Sequence, residues 1–194
     1  MSQSFPARMW NAARLHADTF EEIEADASAI GQATLVVLLA ALAGGVGSWW
    51  LHAVQRELPM DVAILPIALE VLEPLVLWLG GSFFSYTMGA TIFRGPETET
   101  DFAEVLRTVG FAFAPGILRI VGFGLPALGG VLGLGDTEVP RILCNTALEV
   151  WVLVAGIVAV RQALDFTTGR AIGTYGTAYL LLYLMVMGLS TAFA

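Results

Sequence analysis

Apolar sequence dominates this chain in stretches too long for the core of a water-soluble domain. Four such stretches are plain, and a fifth joins them once Arg119 is accommodated; together they run Ala33–Leu51, Val62–Ile92, Val105–Leu125, Ile142–Leu164 and Ile172–Phe193. A helix rising about 1.5 Å per residue needs about 20 apolar residues to cross a hydrocarbon core of about 30 Å. The pattern therefore predicts an all-α polytopic membrane protein: a five-transmembrane-helix bundle over residues 32–194, led by an amphipathic cytoplasmic segment over residues 1–31.

Composition narrows the chemistry. Hydrophobic residues make up 57% of 194 positions and charged residues 13%, outside the range of a soluble domain. A net charge of -8 argues against a nucleic-acid partner, which calls for a basic surface. All nine basic residues are Arg, so Schiff-base chemistry and a P-loop lysine are excluded. Cys144 stands alone, and His16 and His52 fall on different segments. No disulfide, cysteine-based zinc site or histidine-built metal site is expected. No residue set suggests a cofactor or enzyme catalysis.

The N-terminus does not read as a secretory signal, because the acidic run Glu21, Glu22, Glu24 and Asp26 precedes the first apolar stretch. Phe5, Met9, Ala12, His16, Phe20 and Ile23 recur at helical spacing, and Thr19 with Glu22 has the spacing of a capping box. A helical pair broken at Thr19 follows, packed on the bundle or lying among headgroups, with docking of a soluble partner as the alternative.

The arginines set the topology. With five crossings, one side holds Arg8, Arg14, Arg94, Arg107, Arg161 and Arg170, and the other holds Arg56 and Arg141. The richer side is expected to be cytoplasmic, which puts the C-terminus outside. Trp49 and Trp50 then sit in the outer aromatic belt. Asp101 and Glu104 are a capping pair at the start of the third crossing. The glycines between Gly122 and Gly135, around Pro126, predict an irregular outer loop or re-entry. Their match to a dinucleotide fingerprint lacks the strand that motif requires. Small residues at four-residue spacing, Ala40/Gly44/Ser48, Gly81/Ser85/Gly89, Ala112/Gly116 and Ala155/Ala159/Ala163, predict close helix approach within one bundle, or else a homo-oligomer interface.

Two longer motifs carry a resemblance. Leu106-Arg107-Thr108-Val109-Gly110-Phe111-Ala112-Phe113-Ala114-Pro115-Gly116-Ile117-Leu118-Arg119 is followed by Val160-Arg161-Gln162-Ala163-Leu164-Asp165-Phe166-Thr167-Thr168-Gly169-Arg170-Ala171. With the leader Thr19-Phe20-Glu21-Glu22-Ile23-Glu24-Ala25-Asp26, this resembles the bacterial branch of the Yip1 family of multi-span membrane proteins. The resemblance implies five transmembrane helices and a cytosolic N-terminus. It implies little about activity, since the vesicle trafficking and Rab-type GTPase binding of eukaryotic relatives has no bacterial counterpart. Asp136–Arg141 departs from the pattern as a charged insert.

The candidate site lies inside the membrane. Glu70 and Glu73 on the second span, Arg119 on the third, and Asn145 and Glu149 on the fourth count out to one slab, about 12 to 13 Å from the outer surface for the two spans entered from there. A charge in lipid costs about 2.5–3.5 kcal/mol on insertion scales, so these groups should face one another or water. One reading is a Glu–Arg bond that fixes helix register. The other is a polar cavity that handles a proton, a cation or a small solute, because three acids exceed one base by two. Arg161 and Asp165 are expected to pair at the cytoplasmic end. Arg107, Arg161 and Arg170 are candidate contacts for anionic lipid on that face. The function expected is structural or organisational, as a shaper of the bacterial inner membrane or an accessory subunit with a membrane-protein partner. A small transporter or channel is the alternative.

Overall fold

The computed structural model describes residues 3–55, 60–94, 101–133 and 138–192. Among them all regular structure is helical. Two short helices, α1 (Phe5–Ala13) and α2 (Ala17–Ala25), precede two long ones, α3 (Ala29–Gln55) and α4 (Met60–Thr91). Then come α5 (Phe102–Ala112), a 3-10 turn (Ala114–Leu118), α6 (Arg119–Val131), α7 (Glu138–Ala163) and α8 (Thr168–Ala192). Four stretches of described residues have the length and apolarity of a crossing: Ala29–Trp50, Ile67–Thr91, Phe102–Gly124 and Val139–Ala163. α8, with 25 residues, packs along α4 and α7.

Local chemistry explains most of the boundaries. The Asp101 carboxylate accepts the Glu104 backbone N–H at 2.9 Å, and the Glu104 carboxylate accepts the Asp101 N–H at 3.0 Å. This reciprocal box starts α5 on two otherwise orphaned donors. Pro115, which has no N–H, lies where the third crossing gives way from α helix to 3-10 turn. Pro66 and Pro74, by contrast, lie within one continuous helix, α4.

Two expected breaks fall elsewhere. The N-terminal pair turns at Arg14–His16, where Leu15 takes a left-handed φ of 64°, and not at Thr19. Thr19 is buried within α2, where its hydroxyl accepts from Gln3 Nε2 at 3.2 Å, and Glu22 is drawn to Arg8 at 2.9 Å. Tertiary contacts have taken both members of the expected cap. The glycine run is also not an open loop: α6 stays helical to Val131, and Gly133 follows at φ 68°. Its helix lies tightly on its neighbours, for a Cβ on Gly122 would come 2.7 Å from Asn145 Oδ1, and one on Gly47 would come 2.6 Å from the Phe123 ring. Of the charged insert, residues 136–137 lie outside the described residues, as do residues 95–100 of the loop before α5 and Arg56.

α5 packs against α3, α4 and α7, with Val105, Val109, Phe111 and Ala112 fully buried. α3, α4, α8, α7 and α6 pack in sequence around a ring. Ala40/Gly44/Ser48, Gly81/Ser85/Gly89, Ala112/Gly116 and Ala155/Ala159/Ala163 are all buried inside this one chain. Small residues let helix backbones approach in lipid, where apolar transfer supplies no drive to associate. Leu35, Leu38, Leu42 and Val46 of α3 and Leu69, Leu72, Val76 and Leu79 of α4 face outward.

The α1–α2 hairpin is built into the bundle. Arg8 is buried at 3% exposure and pairs with Glu22 at 2.9 Å and Asp26 at 2.8 Å. Phe5 meets Phe111 edge to face at 6.3 Å, and Trp151 Nε1 donates to the Ala13 carbonyl at 2.7 Å. His16, placed on the apolar stripe by spacing, is exposed in the turn.

Candidate functional site

Arg119 opens α6 immediately after the 3-10 turn, and its guanidinium sits within the ring, between α4 and α7. Nη1 donates to Glu73 Oε2 at 2.7 Å and lies 3.7 Å from Glu70 Oε2, while Nη2 lies 3.9 Å from Glu149 Oε1. One arginine thus links α4, α6 and α7. Arg119 is 7% exposed, whereas the Glu70, Glu73 and Glu149 side chains are 33%, 28% and 42% exposed. The cation is enclosed and its carboxylates open outward. Only the Glu73 contact is a charge-assisted hydrogen bond by distance; the other two are longer-range ion pairs.

The site needs a glycine wall. A Cβ on Gly44 of α3 would come 3.2 Å from the Glu70 carbonyl oxygen and 3.5 Å from its carboxylate, so α3 closes on α4 where Arg119 enters. Asn145 stands apart from the three acids. Its amide oxygen is buried without a hydrogen-bond partner, against α6 at Gly122. Arg141, one turn further along α7, lies within electrostatic reach of Glu70. Among the described residues no three Asp, Glu, His or Cys are grouped to hold a metal ion. Tyr179 of α8 lies within electrostatic reach of Glu73, Glu149 and Arg119, a member the sequence reading missed. The four-residue spacing of Tyr175, Tyr179 and Tyr183 was the available signal.

Arg107 is turned into the protein rather than presented on its surface. It is buried, its Nε donates to the Ile23 and Glu24 carbonyls at 3.1 and 2.7 Å, and Nη2 also donates to Glu24. The carbonyl end of α2 attracts a cation because its last C=O groups lack helical partners. Arg161 does not pair with Asp165 but donates to Gln162 Oε1 at 2.8 Å. α7 ends at Ala163 and Asp165 sits at φ 50°, so the one-turn spacing no longer brings the two together. Arg170 is exposed.

Glu24, half-buried where α2 meets α5 and the α7–α8 connection, faces Glu21, Glu104, Arg107 and Asp165. Burial first, then Asp165 and Glu104, push its carboxyl from 4.5 up to about 7, against the pull of Arg107. A raised acid favours the protonated folded form. Its contribution is complete below about pH 4.5 and is lost as pH rises through about 7. For Glu22, burial is outweighed by hydrogen bonds from Gln3 and Arg8, and Asp26 is held down by Ser28 and Arg8. Those two contributions are lost only on acidification below their ordinary values of 4.5 and 3.8. Of these three carboxyls only Glu24 changes its contribution between about pH 5 and 8. The thermal midpoint of the wild type should therefore fall, relative to Glu24→Gln, as pH rises across that range. Parallel pH profiles for the two proteins would refute the assignment.

Fold and site together define a multi-pass helical membrane protein with an ion-paired charge cluster in the interior of its bundle. Residues 14–190 match the Yip1 domain, and the chain belongs to the Yip1 family. No curated protein and no solved structure matches it.

Proposed function

We propose that this chain is a five-span protein of the bacterial cytoplasmic membrane, of the bacterial branch of its family, with an amphipathic N-terminal segment and an organisational role without catalysis. α8 is the fifth crossing, the N-terminus is cytoplasmic and the C-terminus external. The six-to-two division of arginines supports this orientation. The observation that carries the role is the engagement of Arg119 with all three carboxylates, which ties three helices into one body. The small-residue faces are spent on internal packing as well, so the protein offers neighbours a rigid, lipid-facing exterior. Such a body suits membrane shaping, or support of a larger membrane complex. Reporter fusions at Ala194 should report the outer compartment, and a cytoplasmic signal there would remove the fifth crossing. Gentle detergent extraction should retain a membrane-protein partner in fixed ratio, or reconstitution should alter vesicle curvature. A solitary protein that leaves vesicles unchanged would overturn the organisational role.

A second reading rests on charge. Three carboxylates meet one guanidinium at ion-pair distance, and each is a quarter or more exposed. A register-fixing pair needs one acid, and the surplus suits a site that admits protons, small cations or a cationic solute from outside. Flux into proteoliposomes that is lost in both Glu73→Gln and Glu149→Gln would favour this reading over the first.

A further inference from the structure

Beneath the carboxylates, the inner half of the bundle holds hydroxyls that have no partner. Ser82 and Ser85 of α4 and Thr174 and Tyr175 of α8 are each fully buried, and none of their side-chain oxygens makes a hydrogen bond. Several other helical hydroxyls behave differently. Thr34, Thr87 and Thr108 bond back to the carbonyls of Ile30, Phe83 and Glu104 at 2.9, 2.8 and 2.9 Å. That back-bond is the usual way for a serine or threonine to be satisfied within a helix in lipid. The buried group is turned away from it.

Tyr179 leads from this group toward the charge cluster. Tyr179 is within electrostatic reach of Glu73, Glu149 and Arg119, and its ring centroid is 6.2 Å from that of Tyr175. The Tyr175 ring passes between α7 and α4: a Cβ on Gly156 would come 2.5 Å from its hydroxyl oxygen, and one on Gly81 would come 3.7 Å from the ring. Ser85 is one turn from Gly81 on the same face of α4. Polar groups therefore recur from the charge cluster to Tyr175, about 10 Å along α8 from its start at Thr168, with no two of the buried hydroxyls in hydrogen-bond contact. An apolar bundle gains nothing from such a row, since a buried unsatisfied hydroxyl is destabilising.

We propose that this row is a proton path along α8, running from the Glu73–Arg119–Glu149 cluster through Tyr179 and Tyr175 to the buried hydroxyls of α4 and α8 and so to the cytoplasmic side. None of these hydroxyls bonds another directly, so the path includes water bridging them; each hydroxyl or water donates its own proton onward while accepting another and ends unchanged. A carboxylate at the mouth collects the proton. A bare metal cation, by contrast, would need several ligands in one shell, and among the described residues no three Asp, Glu, His or Cys are grouped to hold one. The inference rests on the second reading of the cluster and names its cargo and its route.

The test uses the full chain in proteoliposomes carrying an internal pH dye, with proton entry driven by a potassium diffusion potential. Wild type should acidify the lumen faster than protein-free vesicles. Tyr175→Phe keeps the ring and its packing and removes the hydroxyl, and should bring the rate to that of protein-free vesicles, as should Glu73→Gln. Tyr183→Phe, on the exposed face, should match wild type. If the row is dry and merely tolerated, Tyr175→Phe will raise the thermal midpoint and leave proton entry at the wild-type rate, which overturns the route. Uptake of another cation, lost in Glu73→Gln with no proton entry, overturns the path and leaves the cluster reading standing. No flux of any kind overturns both.

Discussion

Arg119→Leu is expected to lower the yield of folded, extractable protein more than Arg119→Leu combined with Glu73→Gln. Removing the guanidinium leaves three carboxylates facing one another in the interior, 28% to 42% exposed and without their enclosed cation. Breaking a buried pair by deleting one partner typically costs about 3–5 kcal/mol, because the remaining charge is uncompensated. Partial exposure of the acids places this site toward the lower end of that range. Neutralising Glu73, which makes the one short hydrogen bond to Arg119, removes part of the repulsion. The double variant should therefore recover part of the loss. Size-exclusion profiles after detergent extraction over a temperature series read both effects. A single variant as heat-resistant as wild type would mean that Arg119 does not hold the helices together.

Gly156→Ala, at the single glycine of α7, should be strongly destabilising. The added methyl would lie 2.1 Å from Cε1 of Tyr175, a ring that is fully buried and held by α4 on its far side. Overpacking typically costs about 1–3 kcal/mol, and a ring wedged between helices has little room to give. The upper end of that range is expected, read as a drop in the thermal midpoint. Adding Tyr175→Leu should restore part of the loss by vacating the space. Gly176→Ala, on α8 with nothing near its added carbon, should be neutral or slightly stabilising, since alanine is the better helix former by about 1 kcal/mol. Equal midpoints for Gly156→Ala and Gly176→Ala would show that α7 and α8 are not packed as described.

Both predictions depend on features that were unequally readable in the chain. That Glu70, Glu73, Arg119 and Glu149 lie at one level followed from counting, because a helix advances by a fixed rise. Counting along the axis does not give rotation about it. Glu73, rather than Glu70 or Glu149, bonds Arg119, and Asn145 stands apart at Gly122, because packing set the facing directions of α4, α6 and α7. Tyr179 and Tyr175 escaped notice for the same reason. Aromatic residues at helical spacing in an apolar span read as core until a neighbour is known.

The arginines show the division most clearly. By sequence Arg8 and Arg107 are two more cytoplasmic cations, yet one is enclosed by Glu22 and Asp26 and the other seals the carbonyl end of α2. Nothing local marks them, since their partners are contributed by a hairpin that docks from elsewhere in the chain. The glycine run misled in the opposite direction, for weak helix propensity is overridden where missing side chains allow α6 to lie close to α3 and α7. Hydropathy, the Asp101 capping box and the proline before Arg119 determined that this chain is a helical membrane protein and where its third crossing starts and breaks, because those depend on the solvent and on backbone chemistry within a turn. Which face each helix presents, and so which charges meet, was decided only when the helices packed, because close-packed side chains from distant segments fix the rotation that no single segment encodes.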